Sequence, residues 1–248
     1  MRLTGKNFTV EINVPTRGAL MQDVAQRFAV QDGFALATIN LDHVTKLEQS
    51  ESFRAAYAAQ DLVVADGNPI VWVSRLAGSP VELMPGSELV VPLARLAAEL
   101  GVSVALIGSS DASLNAAGEA LKDAAPGLEI AFIHAPEYGF DPTGESAQAI
   151  LRNLDASGAQ LAFLALGAPK QESFAALGRT LAPRVGFASI GAGLDFLSGA
   201  QVRAPKWVRS IAMEWLWRLA GNPRRLFGRY AMSALALPGL AWRSVRSR

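Results

Sequence analysis

Short apolar runs alternate with amphipathic stretches along most of the chain. Runs at 8–14, 34–39, 62–65, 103–107, 129–133, 161–166 and 185–189 are rich in Val, Ile, Leu and Phe. They have the length and composition of strands buried on both faces. The stretches between them, 17–28, 52–59, 69–77, 87–100, 112–124, 145–157 and 170–181, carry helical spacing. Punctuation supports several of these helices. Ser87 stands at the start of one with Gly101 past its end, Asp111 and Thr143 stand at similar starts, and Gly158 stands at an end. Repeated strand–helix alternation predicts an α/β fold: a Rossmann-like, mostly parallel sheet with helices on both faces. In such sheets ligands bind beyond the carboxyl ends of the strands.

The pattern changes after Gly199. Two helices are predicted, at 205–220 and 223–234, with Pro205 and Pro223 in first-turn positions and Gly221-Asn222 as the break. The chain therefore divides into an α/β domain, 1–199, and a C-terminal helical appendage, 200–248. Charge follows the same division. From Arg203 onward there are ten basic residues and one acid, Glu214, a net charge of +9. The first 202 residues carry −8, so the total of +1 averages two opposed regions. Four of the five tryptophans, Trp207, Trp215, Trp217 and Trp242, lie in the basic region. Arginine interleaved with Trp suits an anionic membrane surface, while a basic solvated helix is the plainer alternative.

Hydropathy raises the membrane question separately, because the mean value is +0.22 and half the residues are hydrophobic. No segment reaches the roughly 20 apolar residues a span needs. The longest mostly apolar run, 231–242, is interrupted by Ser233, Pro238 and Gly239. The N-terminus has no apolar signal region. The expectation is a cytoplasmic protein that lies on the membrane without crossing it. A homo-oligomeric contact is a further way to account for the apolar content. With no Cys and only His43 and His134, thiolate chemistry, Cys-ligated metals and multi-histidine metal sites are excluded.

Candidate chemistry gathers at strand ends. The run 34–39 leads into Thr38, Asn40, Asp42 and His43, and the run 62–65 into Asp66-Gly67-Asn68-Pro69. Asp66 has the position of a general base toward a hydroxyl. Asp-Gly is also the commoner signature of a turn or cap, and both readings stand at this point. Gly108-Ser109-Ser110-Asp111 opens a helix after another strand, where backbone N–H groups attract anions, although an ordinary capped turn looks the same. Gly167-Ala168-Pro169-Lys170-Gln171-Glu172 and Gly191-Ala192-Gly193-Leu194-Asp195 follow two more strands. Turns of this kind at several strand ends point to one composite crevice suited to a nucleotide-containing ligand.

These residues, in this order, resemble the WecG/TagA/CpsF glycosyltransferase family. The resemblance runs through T-I-N-L-D-H-V (38–44), A-D-G-N-P (65–69), G-S-E-L (86–89), G-A-P-K-Q-E (167–172) and G-A-G-L-D-F-L-S-G (191–199). It continues in R-A-P-K-W (203–207), E-W-L-W-R-L (214–219) and N-P-R-R-L-F-G-R-Y (222–230). It implies an inverting glycosyltransferase that takes a sugar from a UDP-sugar and adds it to a polyprenyl-diphosphate-linked sugar. The product belongs to an envelope or exopolysaccharide. UDP-N-acetylmannosamine, UDP-glucose and UDP-uronic acids remain open as donors, and no metal or other cofactor is implied.

By the same resemblance Asp66 is the base, and Thr38, Asn40 and Gln171 orient the sugars or the diphosphate. Gly67, Gly108, Gly167, Lys170, Glu172, Gly191, Asp195 and Arg203 are expected among the substrate contacts, with Asp195 on the nucleotide. Arg218, Arg224, Arg225 and Arg229 would meet the membrane or close over a diphosphate. His43 is expected to be structural. One departure from the family pattern is Leu83-Met84-Pro85, where members often carry Arg ahead of G-S-D/E-L. Two other classes compete. One is a non-catalytic nucleotide-sugar-binding protein. The other is a nucleic-acid binder, disfavoured because no recognition motif is present.

Overall fold

The computed structural model describes residues 1–202, 204, 205, 208, 216, 217 and 223–246. The predicted helix at 205–220 falls mostly outside these residues, as do Arg203, Arg218, Trp207 and Trp215.

Strands β3 (Phe34–Ile39), β4 (Leu62–Ala65), β5 (Val104–Gly108), β6 (Ile130–His134), β7 (Leu161–Ala165) and β8 (Gly186–Ser189) form one sheet of six. Its order is β4-β3-β8-β7-β5-β6, and every neighbouring pair is parallel. Each residue of β3, β4, β5 and β8 is buried, as expected for strands covered on both faces. Edge strand β6 is only half covered.

Helices α1 (Arg17–Val30), α5 (Gly86–Glu99), α6 (Asp111–Ala124) and α9 (Gly193–Leu197) lie on one face. There Leu20, Leu93, Leu114 and Leu194 share a core with Leu36, Leu106 and Phe163. Opposite lie α2 (Leu41–Gln49), α3 (Glu51–Ala58), α4 (Asn68–Leu76), α7 (Glu145–Ala156) and α8 (Lys170–Leu181). Ile39, Val63 and Ile70 anchor one cluster on that face, and Ile107, Phe174 and Phe187 the other.

Several boundaries differ from the sequence expectation. The run 8–14 is not part of the parallel sheet. Its middle, β2 (Thr9–Glu11), pairs antiparallel with β1 (Arg2–Thr4) in a separate ribbon. Phe8, Val10, Ile12 and Val14 are buried while the residues between them are exposed. That period-two alternation marks a strand with one wet face. Ser87 does not cap α5: the helix begins at Gly86 after Pro85, with no side-chain cap. Ser110 caps α6 in place of Asp111, accepting the Ser113 N–H. Gly144 precedes α7, and Thr143 instead donates its N–H and hydroxyl to Asp141, each at 2.9 Å. Gly101 and Gly158 do follow helix ends, both with positive φ.

The last helix, α10 (Pro223–Arg246), runs well past the expected end at 234 and contains Pro238. Its C-terminal half packs on α2, α4 and β1, with Leu240 only 1% exposed. Among the described residues no helix is long and apolar enough to cross a membrane.

Candidate functional site

The parallel topology brings all the strand ends to one edge of the sheet. Strand order then arranges the expected residues in a row: Asp66 after β4, Thr38 and Asn40 at the end of β3, Gly191 after β8, Gly167 after β7 and Gly108 closing β5.

At the β4 end, Asn40 donates its Nδ2 to Asp66 Oδ2 at 3.2 Å. Its Oδ1 accepts the His43 N–H at 3.1 Å and caps α2. One side chain thus starts a helix and orients the carboxylate. The Asp66 backbone N–H donates to Ile39 O at 2.8 Å, tying the two strand ends together. Gly67 follows with φ 103°, a conformation costly for any residue with a Cβ, and turns the chain into α4. The 83–85 segment runs beside this turn. Leu83 pairs with Ala65, and the Met84 N–H donates to Ala65 O at 2.8 Å. The family departure therefore lies immediately beside the residue that precedes Asp66.

Thr38 is buried, and its hydroxyl donates to Ser189 O at 3.3 Å. A Cβ on Gly86 would come within 3.2 Å of Thr38 Oγ1 and 3.0 Å of Ile190 Cα. Gly86 thus lets the start of α5 close against the β3 and β8 ends, a packing role that the motif G-S-E-L signalled without explaining.

Gln171 and Glu172 open α8 and lie deeper than expected. Gln171 is 2% exposed; its Oε1 accepts the Gly191 N–H at 3.2 Å, and its Nε2 donates to Glu172 Oε1 at 2.8 Å. Glu172, expected on the substrate, has no exposed surface. Burial drives its carboxyl up to about 7, against the lowering effect of the Gln171 hydrogen bond. His43 Nε2 lies 3.9 Å from Glu172 Oε1, and His43 Nδ1 is 2.7 Å from the Tyr57 hydroxyl. Burial, aided by Lys46, lowers His43 to about 3. The Tyr57 phenol is raised well above its ordinary range by burial, then by Glu172 and Asp66. His43 is buried against protein partners; Tyr57 and Glu172 were not foreseen as a cluster with it.

The other end of the row is built differently. Asp195 Oδ1 accepts from the Ser109 hydroxyl and, at 3.0 Å, from the Ser113 hydroxyl; Oδ2 accepts from Gln201 Nε2 at 2.8 Å. Gly108 has φ 117°, and a Cβ there would meet the Ala165 backbone at 2.5 Å. Close approach of β5 to β7 accounts for this glycine. Lys170 turns toward the 140 region, donating to Phe140 O at 2.7 Å. Gly167 and Gly191 both have positive φ at their turns. Arg224, Arg225 and Arg229 lie where only the α10 backbone is described. Among the described residues no group of three or more His, Asp or Glu side chains is arranged to hold a metal ion.

A doubly covered parallel sheet, with a carboxylate and a row of polar turns along its C-terminal edge, defines an α/β protein of the class that binds ligands at that edge. The chain belongs to the Glycosyl transferase WecG/TagA/CpsF family, whose sequence profile matches residues 6–248, nearly the whole length. It is therefore a glycosyltransferase of the group associated with cell-envelope polysaccharide synthesis. Membership implies, in general terms, a nucleotide-sugar donor and a lipid-linked acceptor.

Proposed function

We propose that this protein transfers one sugar, of the N-acetylmannosamine type, from its UDP-activated form to a polyprenyl-diphosphate-linked sugar, inverting the anomeric centre. Asp66 carries the proposal: it stands at a strand end on the ligand edge and is held by the Asn40 amide at 3.2 Å. Its carboxylate takes the proton of the acceptor hydroxyl. The oxygen attacks the anomeric carbon from the face opposite UDP, the new C–O bond forms, and the bond to the UDP oxygen breaks. A positioned base of this kind contributes roughly 10²–10⁴-fold.

Polarity along the row supports an orientation. Sugars lie toward Asp66, Asn40 and Thr38, and the nucleotide lies toward Ser109 and Asp195, where hydroxyl and carboxylate groups suit a ribose or a base edge. Arginines of the basic region, including Arg203, Arg218, Arg224, Arg225 and Arg229, neutralise diphosphate and meet anionic lipid. Charge-assisted guanidinium contacts fill the electrostatic role a metal plays elsewhere. The enzyme acts without a metal at the cytoplasmic face of the membrane.

A panel of UDP-sugars, including N-acetylmannosamine, glucose and uronic acid forms, tests this with a short-chain lipid-diphosphate sugar as acceptor. UDP release is expected from one donor, to depend on the acceptor, and to be unchanged by chelator. Release abolished by chelator would overturn the metal-free mechanism, release from the glucose or uronic acid form instead of N-acetylmannosamine would overturn the donor assignment, and release from none would overturn the transfer reading.

A further inference from the structure

Gln171 has two partners of fixed and opposite polarity. The Gly191 backbone N–H only donates, so it requires the amide oxygen. Glu172 Oε1 requires the amide NH2. A Gln amide is nearly isosteric with its flipped form, and the partners alone decide which way it points. Flipping this one would set NH2 against N–H and oxygen against oxygen, losing both hydrogen bonds inside a buried site. Without Glu172 only one partner remains to choose.

We propose that Glu172 is a positioning residue of the transfer site. It acts through Gln171, fixing the amide flip that holds the Gly191 N–H and thereby the turn leading to Asp195. It does not touch substrate, in keeping with its complete burial. His43 and Tyr57 back it from α2 and α3. With the Tyr57 hydroxyl donating to Nδ1, the imidazole proton sits on Nε2, which faces Glu172 Oε1 at 3.9 Å, beyond hydrogen-bond distance. Glu172 Oε2 meets no hydrogen-bond donor among the described residues. That atom can carry the proton favoured by burial, while Oε1 accepts from Gln171 in either protonation state. Lys46 and Asp42 are the other charged groups that act on the carboxyl.

The inference rests on the transfer reaction proposed above only for its kinetic part. Full-length Glu172→Leu, Glu172→Gln, Gln171→Leu and the Gln171/Glu172 double Leu variant are compared by hydrogen exchange at the Gly191 amide and by UDP release. Glu172→Leu is expected to speed Gly191 exchange and lower kcat, each about tenfold, in a chain that still melts cooperatively above the assay temperature. Glu172→Gln, which can offer Gln171 the same acceptor, stays within about threefold of wild type. The double variant turns over no more slowly than Gln171→Leu alone, because one residue acts through the other.

Wild-type Gly191 protection in Glu172→Leu, or losses that multiply in the double variant, would overturn the proposal. A measurement on the wild-type chain covers the case of variants that do not fold. The Gln171 side-chain amide and the Gly191 amide resonances are expected to shift with one shared titration midpoint, and independent behaviour contradicts the link. If wild-type protein releases no UDP, the functional reading fails, while exchange and titration still judge the positioning role.

Discussion

His43 and Glu172 stand at ion-pair distance, yet burial pulls each toward its neutral form. The consequences for stability have opposite signs. Glu172 holds its proton up to about 7 in the folded chain against 4.5 ordinarily, so its contribution is lost as pH rises through that window. His43 stays neutral down to about 3 against 6.5, so its contribution is lost as pH falls from 6.5 toward 3. Between the two ordinary values the slopes oppose each other. Relative to wild type, His43→Phe should therefore lose stability as pH rises from 5 to 6.5, with a slope approaching about 1.4 kcal/mol per pH unit. Glu172→Leu should show the reverse slope. Urea unfolding at several pH values checks this, and parallel profiles for all three proteins would contradict it.

Asp66 and Asn40 were legible as candidate site residues because a buried strand ending in a short polar turn shows directly in the sequence. Glu172 was legible only as part of a motif. Its burial depends on α2 and α3 closing over the start of α8, contacts between segments far apart in the chain.

At the scale of elements, strands β3, β4, β5, β7 and β8 could be read because they are apolar on both faces, whereas the β1–β2 ribbon and the length of α10 could not. Pro238 and Gly239 look like a stop. A proline inside a helix forfeits a hydrogen bond and costs about 3 kcal/mol. Packing offsets this: Leu237, Leu240 and Ala241 join the core that contains Ile39 and Ile70. Ser244 Oγ accepts the Thr4 N–H at 3.0 Å, fastening the helix to the first strand. Leu240→Ala is expected to cost about 2–4 kcal/mol, seen as a lower denaturation midpoint. A change under about 0.5 kcal/mol would mean that α10 does not contribute to the core in this way.

For the whole molecule, the acidic α/β domain and the basic C-terminal region act as one folded unit at least through the packed half of α10. Truncation near Gly199 would strip Leu240 from its core, so membrane binding is better tested in the full chain. Arg224, Arg225 and Arg229 changed together to Gln should weaken partition onto anionic vesicles on the order of 100-fold, at about 1 kcal/mol per basic residue. Phosphatidylcholine vesicles should show little difference. Equal binding of variant and wild type to anionic vesicles would remove these arginines from the membrane surface. The +9 charge and the Trp-rich composition were plain in the sequence. Docking of the last helix was not, because it depends on distant segments meeting.

Asp66 is the proposed base of the sugar transfer. Asp66→Asn keeps the size of the side chain and a carbonyl oxygen for the Asn40 amide, but removes the basic carboxylate. UDP binding by calorimetry should stay within about threefold of wild type, while acceptor-dependent UDP release falls at least about 100-fold. Release at the wild-type rate by the folded variant would contradict the account.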